Sequence, residues 1–481
     1  MDFVQANLID PISKLLWTYV LVYLLVAAGV YFTVRTRFVQ LRYLRRMIGQ
    51  LVNARAADEG ISSFQAFCVG LASRVGTGNI AGVAIALTVG GPGAIFWMWV
   101  VAWLGMATAM IEATLAQIFK VRAGDGTFRG GPAYYIQRGL GSRAGGVLFA
   151  VLLVFTFGIA FNMVQANAIA DVLNTTHAVE VHYTTIALVL LAAPVLFGGV
   201  RRVAKVAEIV LPLMALAYVL LAFVIIAINI TAVPHVFAEI IGGAFGLSQM
   251  AGGFTGGVAA AMLNGVKRGL FSNEAGMGSA PNVAATATVS HPVKQGLIQS
   301  LGVFVDTMIV CSATAFIILV SGPEIYDPHA PAKMAGASLT QAAVSASLGS
   351  WTTYLMTVLV FVFAFSSVLG NYVYAEVNLF FLGVKERGIN IFRVIVLLAI
   401  AVGAVAKLST VWDFADISMG LMAIVNLVAI VLLGKWAFAA LRDYHAQAEA
   451  GEDPEFVAAE ASLPGRLDGD IWIRPQESLL R

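Results

Sequence analysis

The stretch Leu71-Ala72-Ser73-Arg74-Val75-Gly76-Thr77-Gly78-Asn79-Ile80-Ala81-Gly82 lies inside an apolar segment of membrane-crossing length, from about Ile61 to Val89. Gly76, Thr77, Gly78 and Asn79 lower helix propensity at its middle. Unpaired backbone in hydrocarbon costs several kcal/mol per group unless something else satisfies it. Five spans later, Ala251-Gly252-Gly253-Phe254-Thr255-Gly256-Gly257 interrupts the segment from Ile241 to Leu263 in the same way. Each half-helix end carries about half an elementary charge, positive at N-termini and negative at C-termini. Free amides at Gly76, Thr77 and Gly78 could hold a carboxylate, with Asn79 beside them. Carbonyls around Gly253, Phe254, Thr255 and Gly256 could hold an ammonium group or Na⁺. Together they would bind a small zwitterion with no charged side chain. Two interrupted helices at corresponding places in consecutive five-span halves point to an inverted repeat and a secondary transporter.

The elements that must position these residues follow from composition. The 481 residues are 59% hydrophobic and only 12% charged, with a mean hydropathy of +0.85. That excludes a soluble globular protein and implies an all-α membrane protein crossing the lipid bilayer many times. About eleven spans are expected, at 15–34, 62–89, 92–119, 145–172, 184–199, 206–230, 246–264, 293–321, 351–382, 391–408 and 412–438. The division is an N-terminal helix with a basic amphipathic segment (1–60), a transport core (61–438) and a loosely ordered acidic tail (439–481). Phe38 to Ala56 interleaves Arg42, Arg45 and Arg46 with Leu41, Leu44, Met47 and Leu51, which suits a helix lying on the membrane surface.

Of the 29 lysines and arginines, these spans put 25 on one side, including Lys267 and Arg268, and three on the other, with Arg74 inside the membrane. The positive-inside rule then places the N-terminus outside and the C-terminus in the cytoplasm. The basic residues sit in loops, so the net charge of +2 carries no implication of nucleic-acid binding. Cys68 and Cys311 fall in apolar spans and read as small buried hydrophobes. Met1 to Lys14 lacks the basic n-region and cleavage site of a signal peptide. No Walker loop, zinc-ligand spacing or nucleophile triad appears, so an enzyme is not expected.

Arg74, Glu112, Asp306 and Glu376 fall inside apolar spans, where charge is expensive and marks function by default. Arg74 needs a counter-charge, and Glu112 or Asp306 could supply it. Glu376 lies near a span end and could face water. A proton-coupled carrier would use one of these carboxylates as its relay. A channel is the rival of another class, but no span carries a continuous polar face.

Ser73 to Ala84, Gly90-Gly91-Pro92-Gly93-Ala94-Ile95-Phe96-Trp97-Met98-Trp99, Gly130-Gly131-Pro132-Ala133-Tyr134-Tyr135-Ile136 and Asn264 to Asn282 resemble the alanine or glycine:cation symporter family. The likeness covers about residues 60 to 440, and Phe271-Ser272-Asn273-Glu274-Ala275-Gly276-Met277-Gly278-Ser279-Ala280-Pro281 is its most specific run. The resemblance implies Na⁺- or H⁺-driven uptake of small neutral amino acids, alanine or glycine, across a bacterial-type cytoplasmic membrane. It implies the bacterial leucine-transporter fold: a ten-helix 5+5 core with two broken helices, plus one extra N-terminal helix. It also puts Phe161 and Gln165, one helical turn apart, against the substrate. Carbonyls of Ala72 and Val75 with hydroxyls of Ser366 and Ser367 would take Na⁺, although a serine pair can also bond back to its own helix. Glu112 would brace unpaired amides. Asn264 to Asn282 is expected to form a polar inner-gate loop at the cytoplasmic mouth.

Overall fold

A computed structural model describes residues 10–52, 61–124, 126–198, 200–246, 257–328, 330, 333–469 and 471–473. The first elements are α1 (Pro11–Arg35), the surface helix α2 (Leu44–Val52), and the pair α3 (Ser63–Arg74) and α4 (Gly78–Gly90), bent by 46°. After α5 (Gly93–Ile118) comes a hairpin of β1 (Val121–Arg122) and β2 (Phe128–Arg129), then α6 (Pro132–Gly139). The chain continues through α7 (Arg143–His177), α8 (Val181–Leu196), α9 (Val200–Ile228) and α10 (Val233–Phe245). Next are α11 (Gly257–Asn273), α12 (Ala280–Ala284), α13 (Pro292–Leu319) and α14 (Ala337–Leu348). The last three are α15 (Thr352–Phe381), α16 (Glu386–Val405) and α17 (Leu408–Glu449).

Seven of the described helices are long and apolar enough to cross a membrane, or nine counting each bent pair as one span. The eleven expected crossings would also require α8, at 16 residues, and α11 with α12. Two groups of helices are set apart by their main packing partners and meet where α3 packs on α15. α5 packs mainly against α13 and α11, whereas α7 packs against α16 and α15, and α8 against α16.

The sequence explains the first break. α3 starts with a capping box, in which Ser62 Oγ accepts from Gln65 N and Gln65 Oε1 accepts from Ser62 N, both at 3.1 Å. It ends at Val75, whose backbone is extended (φ −77°, ψ 91°), immediately before Gly76-Thr77-Gly78. Residues 251–256 lie outside the described residues, and with them Gly253, Phe254, Thr255 and Gly256.

A second interruption lies further on, between α11 and α12. Glu274, Gly276 and Gly278 take left-handed backbone (φ +59°, +91° and +83°). The stretch expected to be a polar mouth loop, Asn264 to Asn282, is therefore the end of a buried helix followed by its break. Lys267 and Arg268 suggested emergence into water, but both are neutralised inside. They face Asp416 and stack on Trp17 and Trp412 respectively. Ser13 and Trp17, at the start of α1, contact the same group. Lys267 and Arg268 thus sit on the side of the chain's N-terminus, and two residues change sides in the charge tally. The asymmetry survives without them. At the other end, α3 starts where α12 finishes, so the two broken helices run in opposite directions: Ile61 just before α3 forms a parallel bridge with Ala287 just after α12, with Thr288 N donating to Ile61 O at 3.0 Å.

The tail differs from the loose segment expected. Phe456 N donates to Ser290 O (2.9 Å), Asp453 pairs with Lys294 (2.5 Å) and Trp472 Nε1 donates to Gln117 O (3.1 Å). Phe456, Ala461 and Trp472 are buried. Apolar side chains set among the charged ones let this strap cover the loop ends, which composition averaged over the tail concealed. Lys120, beyond the end of α5, lies between Phe128 and Trp472. Burial, with help from Arg122, pushes its ammonium down to about 7. The unfolded chain keeps that lysine near 10.5. It therefore binds more protons than the folded chain between those values, and stability rises with pH there. Trp472→Ala should lower stability by about 3 kcal/mol, read as a melting-temperature drop in detergent. Because it lets water reach Lys120, the drop should be larger at alkaline than at neutral pH.

Candidate functional site

The two interruptions meet. A Cβ on Gly78 would lie 3.1 Å from Phe271 Cδ1 and from Ser272 Cα, so the first break rests on the end of α11. A Cβ on Gly76 would lie 2.0 Å from Ser367 Oγ, which leaves no room for a side chain between α3 and α15. Asn79 N, which in a continuous helix would bond Val75 O, donates to Gly76 O at 3.3 Å. Asn79 Oδ1 accepts from Gly76 N at 2.9 Å, and Asn79 Nδ2 donates to Asp306 Oδ1 at 2.7 Å. Asn79 is thus occupied in bracing the break. Thr77 N reaches Gln165 Oε1 at 3.4 Å, and Thr77 Oγ1 is buried without a partner. An unpartnered buried hydroxyl beside loosened backbone is where a polar guest would complete the bonding.

An aromatic series closes the N-terminal side of this centre. Phe161 lies 4.5 Å from Phe271, Phe271 lies 4.6 Å from Trp412, and a Cβ on Gly82 would sit 3.6 Å from Trp412 Cη2. Arg268 covers Trp412 at 4.5 Å and binds Asp416, with Lys267 3.5 Å from the same carboxylate. Phe161 and Gln165, one turn apart on α7, are both 2% exposed; Gln165 accepts from Thr77 N and Phe161 packs on Phe271.

Three carboxylates surround the centre. Asp306 accepts from Asn79 Nδ2, Ser272 Oγ (2.8 Å) and Thr307 Oγ1 (2.7 Å). Glu112 accepts from Gly276 N (3.2 Å) and Asn426 Nδ2 (2.9 Å), bracing an amide of the second break. Glu274 accepts from Ser279 Oγ at 2.5 Å and contacts Ser73 Oγ at 2.7 Å.

Arg74 acts electrostatically on all three. It has no carboxylate within 4 Å among the described residues, contrary to the pairing expected with Glu112 or Asp306. Its Nη1 donates to Gln299 O at 3.2 Å, while Nε and Nη2 lack partners. The carboxylates are held instead by hydroxyls and amides, and Arg74 lies against α13, where a Cβ on Gly302 would be 2.5 Å from its Nη1. Glu376 pairs with Arg393 at 3.6 Å, away from this cluster.

Of the residues expected around Na⁺, Ala72 and Ser367 are brought together: Ser367 Oγ donates to Ala72 O at 3.1 Å and also approaches Phe363 O at 3.1 Å. Ser366 bonds back to Phe363 O at 2.9 Å. Reasoning from the sequence missed Phe271, Trp412, Ser272 and Glu274 as parts of the centre. The specific run from Phe271 to Pro281 marked three of them, but the basic pair before it moved that run to the surface.

A profile of the Sodium:alanine symporter family matches residues 1–458. The chain belongs to this family. Family members similar to it include the Bacillus subtilis proteins named "Probable sodium/glutamine symporter GlnT" and "Amino-acid carrier protein AlsT". The first is 49% identical over 95% of this chain and 94% of that one, and the second 46% identical over 98% of both. "Sodium/alanine symporter AgcS" of Methanococcus maripaludis is 38% identical over 90% of this chain and 95% of its own. In fold, the chain is similar to a manganese transporter mutant of Eremococcus coleocola, with TM-score 0.50 and 14% identity over 82% of this chain and 81% of that one. As a sodium:alanine symporter family member, the chain is a multi-pass membrane protein performing cation-coupled amino-acid transport, and no enzyme family is indicated. Gly76→Ala should push Ser367 Oγ from Ala72 O, abolish uptake and lower stability by about 1–3 kcal/mol. Gly49→Ala, inside α2 where a Cβ meets nothing within 4 Å, should leave uptake unchanged and, with the better helix former, not lower the melting temperature.

Proposed function

We propose that this chain couples Na⁺ entry to the uptake of a small neutral amino acid, alanine or glycine, by alternating access. The observation that carries the reading is the junction of two broken, antiparallel helices beneath an aromatic cover, with Thr77 Oγ1 unpartnered between them. Of the amides at Gly76, Thr77 and Gly78, that of Gly76 is held by Asn79 Oδ1, so those of Thr77 and Gly78 take the substrate carboxylate, and Gln165 assists. Asn79 shapes the break. Phe161, Phe271 and Trp412 limit side-chain size. The ammonium group goes to carbonyls of the second broken segment. Gly253 to Gly256 remain the residues suggested by sequence, and the break at Glu274–Ser279 offers the alternative suggested by geometry.

Na⁺ is taken by carbonyls of Ala72 and Val75 with Ser366 and Ser367, the Ala72–Ser367 contact being the support for this placement. Extended backbone at Val75 frees its carbonyl from the helix. One inward charge supplies about 2.3 kcal/mol per 100 mV, more than the ~1.4 kcal/mol of tenfold accumulation. The N-terminus faces outward and the C-terminus the cytoplasm of a bacterial-type inner membrane, as the basic residues suggest.

A second substrate, glutamine, is favoured by the name of the relative at 49% identity. The close aromatic contacts favour the smaller one. A proton in place of Na⁺ is the rival for the coupling ion. Two other similar proteins, from Bacillus subtilis and Bacillus sp., are named as sodium/proton-dependent alanine carriers. The test is uptake of labelled alanine, glycine and glutamine into proteoliposomes, with Na⁺ replaced by K⁺ at fixed voltage. Alanine or glycine accumulation should vanish without Na⁺, and Gln165→Ala should reduce it at least tenfold in protein that still reaches the membrane. Uptake indifferent to Na⁺ but abolished by collapsing the pH gradient would transfer the coupling role to a proton.

A further inference from the structure

Ser73, Glu274, Asn371 and Asn162 come from α3, the second break, α15 and α7. Ser73 Oγ lies 2.7 Å from Glu274 Oε1 and 2.9 Å from Asn371 Oδ1. A serine hydroxyl has one proton to donate. The amide orientations are fixed by their neighbours. Asn162 Nδ2 donates to Gly158 O (3.1 Å), and Asn162 Oδ1 accepts from Asn371 Nδ2 (3.0 Å). Asn371 must therefore present its oxygen to Ser73. Three oxygens in two short contacts share a single serine proton. A second proton is required between Ser73 and these oxygens. The Tyr374 hydroxyl also reaches Ser73 and Glu274, but its proton sits on the tyrosine oxygen and lies in neither contact, so the carboxyl must carry the second one.

We infer that Glu274 is a proton-binding site, neutral in this conformation, whose proton links the broken-helix pair to α7 and α15. Glu274 Oε1–H donates to Ser73 Oγ, Ser73 donates to Asn371 Oδ1, and Asn371 donates to Asn162. Glu274 Oε2 accepts from Ser279 Oγ. When the proton leaves to water, Ser73 turns its hydrogen to the carboxylate, and Asn371 Oδ1 then faces a lone pair. The link between the two helix groups opens.

The other carboxylates do not need such a proton. Asp306 already has three donors, from Asn79, Ser272 and Thr307, and Glu112 has two, from Gly276 and Asn426. The titratable and charged groups facing Glu274 are Arg74 from α3, Glu112 from α5, Asp306 from α13 and Tyr374 from α15. Glu274 also holds φ +59°, a backbone that glycine adopts with less strain. The carboxyl is kept there against a local preference.

The proton itself follows from bonding alone, while its part in transport rests on the uptake reading above. Infrared spectra of the full chain in liposomes at neutral pH should contain a protonated-carboxyl C=O band that is missing in Glu274→Gln and retained in Asp306→Asn. Glu274→Gln keeps one donor and one acceptor, so its uptake should lose the wild type's dependence on pH across the neutral range. Glu274→Ala, which cannot rebuild the chain of bonds, should lose uptake at every pH. Identical carboxyl bands in wild type and Glu274→Gln would overturn the proposal, as would an unchanged pH profile in Glu274→Gln. If the wild type accumulates no alanine, glycine or glutamine at any pH, the uptake reading fails. The infrared band then decides the protonation of Glu274 on its own.

Discussion

Loosened backbone far from water, and the side chains that satisfy it, is the constraint on which this structure depends. Each break frees amides and carbonyls that hydrocarbon would penalise heavily. Asn79 ties the first break to Asp306, and Glu112 takes the Gly276 amide of the second and is itself held by Asn426. These polar residues lie in the interior because the broken helices need them there. Where that bracing stops, at Thr77, a buried hydroxyl is left without a partner.

Burying these groups also explains how charge is arranged. Asp416 neutralises Arg268 and Lys267 on the side of the fold where α1 starts, and their cationic heads lie over Trp412 and Trp17. Nearer the centre, carboxylates are shared among hydroxyls and amides, and Arg74 acts on them from a distance. A polar centre held this way can rearrange through rotations of hydroxyls, a smaller change than separating a tight buried ion pair.

The sequence made the first break legible because glycines and polar residues interrupt an otherwise apolar run. Helical spacing also put Phe161 with Gln165 on one face. The helical class was legible in composition, whereas the contact of Ala72 with Ser367 and the bracing contact of Glu112 were legible through the family resemblance. The second break was less so. Glycine density drew attention to Ala251–Gly257, while Glu274–Ser279 followed a Lys-Arg pair that reads as water-facing until Asp416, 148 residues after Arg268, is known to reach it. Pairings over that separation leave no local periodicity. The order of the tail was hidden for the same reason, since Trp472 is held by Gln117 and Lys120.

The short backbone bridge between Ile61 and residues 286–288 has a mechanical consequence. It yokes the entrance of one interrupted rod to the exit of the other, at the end away from the aromatic cover. Swinging either about that shared pivot drags its mate along. Displacement is therefore smallest at the yoke and grows toward the opposite face, so a single tilt moves both halves of the cradle in step.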